Sequence, residues 1–332
     1  MFKIPVVLFT FKRKDTLFRI IDRLAEVQPT KLYLISDGGR NNEEKLLVEA
    51  VRNSVENHIN WDCEIITNYA DDNKGVYNRI GEGAKWVLER EESAIFLEDD
   101  NLPEITFFKF CQEMLEKYKN ENNVLWVVGT NYLGEYAPDD GSSYMFTKHM
   151  LPCGWATWSG KFTKFYDGKL ELLNADSAKR LKNKFENKKL YKQETLKYFK
   201  TKYTLKNSIK LASWDAQMGF SIRNNDLYGI SPKYNQIKNI GVDDFSTHGG
   251  TSFANPMTKR FCEVKTIPLE FPLKHPKNIE IDLEYEKKIA EIVLYPFLER
   301  FKISVMTFVK PLLGINKYES FKTYLKTKLK DK

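Results

Sequence analysis

Three consecutive carboxylates, Glu98, Asp99 and Asp100, carry the densest chemistry in this 332-residue chain. They follow a run of small and apolar residues, Ala94 to Leu97, and precede a turn made by Asn101 and Pro103. Carboxylates this close repel one another and are costly to hold together unless a cation sits among them. Hard oxygen ligands at the end of a buried strand suit a divalent metal. A solvated turn in which Asp100 or Asn101 caps the next helix is the plainer alternative. Other chemically capable residues lie far off in sequence. Arg13, between Lys12 and Lys14, follows the first apolar run; Asp37 follows the second; a Trp214–Asp215 pair opens a later segment; His248 sits in a glycine-flanked loop. On residue type alone, Asp37 in Ser-Asp-Gly-Gly is a strand-to-turn signal and Asp215 a helix cap. A lone loop histidine is more often neither a metal nor a phosphate ligand.

The elements that must position these groups alternate between strand and helix patterns. Ile4 to Phe11 clusters β-branched residues for a first buried strand, and Leu17, Ile20, Ile21 and Leu24 recur at helical spacing after it. Lys31 to Ser36 predicts a second strand, Glu44 to Val55 a helix, Cys63 to Thr67 a third strand and Ala84 to Glu89 a helix. Ala94 to Leu97 is then the strand that delivers the acids. Phe107, Phe108, Cys111, Met114, Leu115 and Tyr118 form a helical face beyond the turn, and Val124 to Gly129 a further strand. This order predicts an α/β fold, Rossmann-like, with a mostly parallel central sheet flanked by helices and ligands at the carboxyl ends of its strands.

Farther on the pattern loosens. Met150 to Phe162, rich in Gly, Trp and Pro, reads as an irregular loop that lines a ligand or fills core. Asp176 to Ser213 reads as lysine-rich helices with solvated faces, and Leu227 to Ser231 as a strand. From Tyr285 a helical apolar face, interrupted at Pro296, leads into a basic tail, KYESFKTYLKTKLKDK. Lysines interleaved with Tyr, Phe and Leu can lie on an anionic membrane surface; a docked helix with a solvated face is the alternative.

Composition bounds the function classes. With 42% hydrophobic and 29% charged residues the chain has the make-up of a globular protein. A net charge of +7 favours anionic partners such as nucleotide diphosphates. No nucleic-acid recognition motif accompanies it, so nucleic acid is not expected as a partner. The four cysteines form no metal-binding spacing and read as reduced thiols of a cytoplasmic protein. The N-terminal apolar run is short and followed at once by charges, unlike a signal peptide, and no apolar run is long enough to span a bilayer.

In order, PVVLFTFKR, ISDGG, FLEDDNLPEITFFKF, VLWVVG, PCGWATW, SWDAQM and GVDDFSTHGG resemble the motifs of GT-A-fold glycosyltransferases. The resemblance is closest to the inverting N-acetylglucosaminyltransferase I type and to bacterial haemolytic-protein-like glycosyltransferases, and runs from about Ile4 to Gly250. It implies that Asp100 binds Mn2+ or Mg2+, which bridges the diphosphate of a nucleotide-diphosphate sugar. It implies that Asp99 faces the ribose or the sugar, Glu98 the sugar, Arg13 the phosphates and Asp37 the uracil, with Thr10 among the donor-binding residues. Asp215 would be the catalytic base and Trp214 would pack on sugar or acceptor; His248 would contact phosphate or metal. The implied organisation is a GT-A domain over 1–270, with a nucleotide-sugar half to about 130 and an acceptor half after it, then a helical basic tail over 271–332. Two features depart from the pattern. Ala216 stands where a second acid is common, and the lysine-rich insert 176–213 has no counterpart.

The expected activity is a metal-dependent inverting transfer of sugar, UDP-sugar favoured, to a glycan or lipid-linked saccharide, in bacterial surface polysaccharide or glycolipid synthesis. The protein would act in the cytoplasm, at the inner face of the membrane where the tail binds. A non-catalytic membrane-active or nucleotide-sugar-binding protein is the alternative. A sugar-nucleotide pyrophosphorylase would carry a glycine-rich loop after the first strand, and FTFKRKDTLF has no glycine. Oligomeric state is open.

Overall fold

In the computed structural model, residues 1–207, 209, 214–243, 252–321 and 324 are described. The first half of the chain alternates as its periodicity requires: β1 (Val6–Thr10), α1 (Lys14–Val27), β2 (Lys31–Ser36), α2 (Asn42–His58) and β3 (Glu64–Tyr69). A π-helical turn at Tyr77–Gly81 runs into α3 (Glu82–Leu88), and β4 (Ser93–Glu98) follows. Leu17, Ile20, Ile21 and Leu24 of α1 are all fully buried, and Asn41 caps α2 by accepting from the Glu44 N–H. The acidic turn leads into a short strand, β5 (Asn101–Pro103), then α4 (Ile105–Lys117) and β6 (Val124–Val128).

The second half adds β7 (Tyr144–Thr147), β8 (Trp155–Trp158), α5 (Ser159–Phe165), α6 (Ala175–Leu181), α7 (Lys188–Lys206), α8 (Asp215–Asn224) and β9 (Tyr228–Pro232). β10 (Ile237–Asn239), α9 (Pro256–Phe261), α10 (Leu283–Val293) and α11 (Phe297–Leu312) complete it. Eight strands form one sheet in the order β3-β2-β1-β4-β8-β6-β9-β7, while β10 pairs antiparallel with β5. Four of the seven neighbouring pairs are parallel: β1 with β2, β1 with β4, β2 with β3 and β6 with β9. The α/β fold with a mixed, mostly parallel central sheet, helices on its faces and C-terminal helices is therefore present.

One segment corrects the sequence reading. Met150 to Phe162 is not a loop throughout, because Trp155–Trp158 forms β8, antiparallel to both β4 and β6 in the middle of the sheet. Trp155, Ala156, Thr157 and Trp158 are buried whichever face they point to. Like β1, β2 and β4 it is covered on both sides and lacks polar–apolar alternation, but at four residues, Trp-Ala-Thr-Trp, it also lacks the continuous apolar run that announces those strands.

The period of two divides the core. Val6, Leu8, Leu32, Leu34, Ile95 and Leu97 pack with α1 and α4 on one face. Val7, Phe9, Tyr33, Ile35 and Phe96 pack with α3, α8 and α10 on the other. There an aromatic ladder crosses the sheet, Phe96 stacking on Trp155 at 3.9 Å between centroids and Trp155 on Trp126 at 4.3 Å. The lysine-rich insert is helical as expected, and α7 buries Leu190 and Tyr198 in a third cluster with α6 and α8. Cys111 and Cys262 are buried and Cys63 and Cys153 half-buried. Among the described residues no helix is long and apolar enough to cross a membrane.

Candidate active site

β1 and β4 run parallel with Phe9 paired to Glu98, so their carboxyl ends bring residues 10–13 beside residues 98–100. Arg13, the residue before α1, reaches across that gap. Its Nη1 donates to Asp99 Oδ1 at 3.2 Å and to Asp100 Oδ2 at 2.9 Å, and its Nη2 donates to Asp243 Oδ1 at 3.2 Å and the Gly241 carbonyl at 3.4 Å. Burial would lower the Arg13 pKa, but Asp99, Asp100 and Asp243 outweigh it and hold the guanidinium charged. The other oxygens of the acids are also met: Phe11 N–H donates to Asp99 Oδ2 at 3.2 Å and Asn101 Nδ2 to Asp100 Oδ1 at 2.6 Å. Asn101 is itself fixed, since its Oδ1 accepts the Gly154 N–H at 2.9 Å. A Cβ on Gly241 would lie 2.3 Å from Asp100 Oδ2, so only glycine lets this strand end approach the cluster so closely.

The cation demanded by the acidic trio is thus supplied by the chain. Charge remains in excess all the same. Burial pushes Asp99 up to about 7 although Arg13 pulls the other way, and burial likewise raises Asp100 against Arg13. Burial first, then Asp100, Asp99 and Asp215, raises the Glu98 carboxyl well above the carboxylate range.

These groups line a cavity of about 620 Å³, a size usual for small-molecule sites. Thr10, Lys12, Arg13, Asp37, Arg79 and the acidic trio line it, and so do Lys148, Glu194, Lys197, Trp214, Asp215, Arg223 and Tyr295. Asp37 accepts from the N–H groups of Gly38, Lys74 and Gly75 and from Asn73 Nδ2, at 2.7 to 3.0 Å, and so shapes the loop at 73–75. Arg79 donates to Asn68, while its Nε is buried with no acceptor among the described residues.

Asp215 opens α8 and is ion-paired with Lys197 of α7. Burial would lower the Lys197 pKa, but Asp215 and Glu194 raise it. Trp214 is buried, its ring 5.2 Å from that of Trp155 and 5.9 Å from that of Trp126. The ring that the resemblance offered to sugar or acceptor is largely engaged by the sheet, and anchors the start of α8. His248 lies outside the described residues, as do 244–251 around it.

Arg13, Thr10, Asp37, Glu98, Asp99, Asp100, Trp214 and Asp215 therefore line one cavity. Two further residues had not been singled out. Asp243, an ion-pair partner of Arg13, sits in the GVDDFSTHGG stretch, where its acidic pair was the available signal. Lys197 is one lysine among many, with no local mark.

As a metal centre the chain is partial. Among the described residues no group of three or more His, Cys, Asp or Glu side chains is placed to hold an ion. Hard oxygens, one of them on the part-exposed Asp100, do fit a Mg2+ or Mn2+ ion held chiefly by substrate phosphates, a common arrangement with one or two protein carboxylates.

No family model matches the chain, and no curated protein matches it. Solved structures resemble it distantly. UDP-glucose pyrophosphorylase complexed with UDP-glucose shares 12% identity at a TM-score of 0.35, over 72% of this chain and 94% of that one. 4-Diphosphocytidyl-2C-methyl-D-erythritol synthase from Anaerococcus prevotii shares 12% at 0.34, over 71% and 92%. A mannosyltransferase from Pyrobaculum calidifontis, in complex with GDP-Man and Mn2+, shares 11% at 0.28, over 38% of this chain and 34% of that one. The chain thus spans about a third of that mannosyltransferase's length.

Proposed function

We propose that the cavity binds a nucleotide-diphosphate sugar, UDP-sugar favoured, and transfers its sugar with inversion to a hydroxyl of a glycan or lipid-linked saccharide. One observation carries this reading. A single cavity holds a cation–carboxylate cluster suited to a diphosphate and, on another element, the carboxylate Asp215 suited to a proton.

Arg13 is the fork that suits phosphate oxygens, and Lys12 adds positive charge beside it. Asp37 and the loop it shapes, with Arg79 Nε buried and unaccepted beside them, suit the base end of the nucleotide. Asp100 would hold a divalent ion together with the diphosphate, and His248 is a further proposed ligand. Such an ion, when bound, supplies positive charge against the charge developing on the leaving diphosphate. Asp215 takes the acceptor hydroxyl proton as that oxygen bonds to the anomeric carbon and the bond to the diphosphate breaks. Lys197 must yield its hold on Asp215 for this, and an incoming acceptor is the natural trigger. Three residues, Phe11 to Arg13, join β1 to α1 without a glycine, which disfavours the pyrophosphorylase reading.

A screen of nucleotide sugars for slow hydrolysis, with and without Mn2+ or Mg2+, tests the proposal. Metal-dependent hydrolysis of one donor supports it. Hydrolysis of none, together with no nucleotide binding, favours the non-catalytic alternative.

A further inference from the structure

α11 is turned inside out. Phe297, Phe301, Val305, Phe308 and Leu312 fall within about 80° of one another at 100° per residue, one stripe of the helix. That stripe faces away from the protein: Phe297 is 69% exposed, Phe308 72% and Leu312 72%. Eight of the fourteen large apolar side chains that are exposed among the described residues lie between Phe297 and Leu313. The opposite, inward stripe carries the polar groups, which serve nearby backbone. Arg300 Nε donates to the Tyr295 carbonyl at 2.9 Å, Thr307 Oγ1 to the Ile303 carbonyl at 2.7 Å and buried Lys310 Nζ to the Glu319 carbonyl at 2.6 Å. A helix packed on a globular core in water shows the reverse arrangement. An apolar face this continuous marks an interaction surface.

We infer that α11 lies in the interfacial plane of an anionic bilayer, its outer stripe among the acyl chains. Charge selects this occupant over a second copy of the chain. Lys302, 73% exposed and within 3.8 Å of Glu299, flanks the stripe, and from Lys317 onward the sequence adds six lysines against two acids, which leaves the positive surplus. A second copy would carry the same surplus of positive charge and be repelled by it, whereas anionic headgroups attract that charge. The surface is also placed to matter. Val293 and Tyr295 line the cavity, and Pro296 starts α11 immediately after them. On the proposed reading of the cavity, which the anchoring itself does not require, the wall next to the bilayer suits a lipid-linked acceptor.

Flotation of the full-length chain with phosphatidylcholine vesicles, with and without phosphatidylglycerol, tests this. The wild type floats with the phosphatidylglycerol vesicles. Phe301→Glu with Phe308→Glu, at exposed positions, lowers the bound-to-free ratio by at least about tenfold with an unchanged melting temperature. A wild type that stays unbound to anionic vesicles overturns the inference, and so does a double variant that binds as well as wild type. A wild-type dimer in light scattering that Phe301→Glu and Phe308→Glu convert to monomer, without vesicles, also overturns it, in favour of a second copy as the occupant.

Discussion

Replacing Arg13 with alanine tests whether this side chain is the cation that holds the acidic end of the site together. The change leaves Asp99, Asp100 and Asp243 facing one another without the guanidinium that touches all three. Removing one partner of a buried ion pair costs about 3–5 kcal/mol. The Arg13, Asp99 and Asp100 side chains are 12%, 11% and 17% exposed, so solvent screens part of the cost and the low end, about 3 kcal/mol, applies. A chain of this length unfolds with an entropy of about 0.7 kcal/mol per kelvin, so the melting temperature falls by about 4 °C. Mg2+ acts differently on the variant and the wild type. Mg2+ raises the melting temperature of Arg13→Ala, because a divalent ion replaces the missing charge. It leaves nucleotide-free wild type unchanged, because Arg13 already occupies those oxygens. Scanning calorimetry with and without Mg2+ reads both. An unchanged melting temperature in Arg13→Ala, or clear stabilisation of nucleotide-free wild type by Mg2+, refutes the reasoning.

Three other perturbations follow from the geometry. Asp215→Asn keeps nucleotide affinity, measured by titration, while turnover drops by about a hundredfold to ten-thousandfold, as for loss of a general base; unchanged turnover would remove Asp215 from the chemistry. Asn101→Ala deletes the acceptor for the Gly154 N–H and the donor to Asp100 in a buried position, costing about 2 kcal/mol in chemical denaturation. His149 has its Nε2 3.0 Å from the Glu286 carbonyl, and burial lowers its pKa; Glu286 is held low by His149, Arg223, Thr147 and the Lys148 N–H despite its burial. Both folded values lie below the unfolded ones. Stability is therefore full above about pH 6.5, falls as acid charges the imidazole, and falls again below about pH 4.3 as Glu286 protonates. Melting temperatures followed from pH 7 to 5 should decline in wild type and decline less in His149→Gln.

What was legible in the sequence was what burial periodicity reports. The strands that deliver Arg13, Asp37 and the acidic trio are buried on both faces and announce themselves as continuous apolar runs, and α1 by its single buried stripe. β8, Trp-Ala-Thr-Trp, is equally buried but is short and makes no such run. Partnership is a different matter. Arg13 and Asp243 are 230 positions apart, and nothing local to either marks the other. The trio's need for a cation was readable from charge alone, but whether metal or arginine meets it depends on how β1 and β4 align. Lys197 reads as another solvated lysine until α7 packs on α8 and brings it to Asp215. The apolar stripe of α11 has the same spacing whether it faces a core or a bilayer, so only its exposure distinguishes the two.

On the proposed function, the cavity takes a nucleoside diphosphate through a divalent ion added to the Arg13–carboxylate cluster. Titration calorimetry of UDP and dTDP into the wild-type protein, with Mn2+ or Mg2+ and then with chelator, tests it most directly. The account predicts binding of at least one nucleotide in the presence of metal and loss of that binding with chelator. Metal-independent binding, or no binding of either nucleotide in any condition, would contradict it.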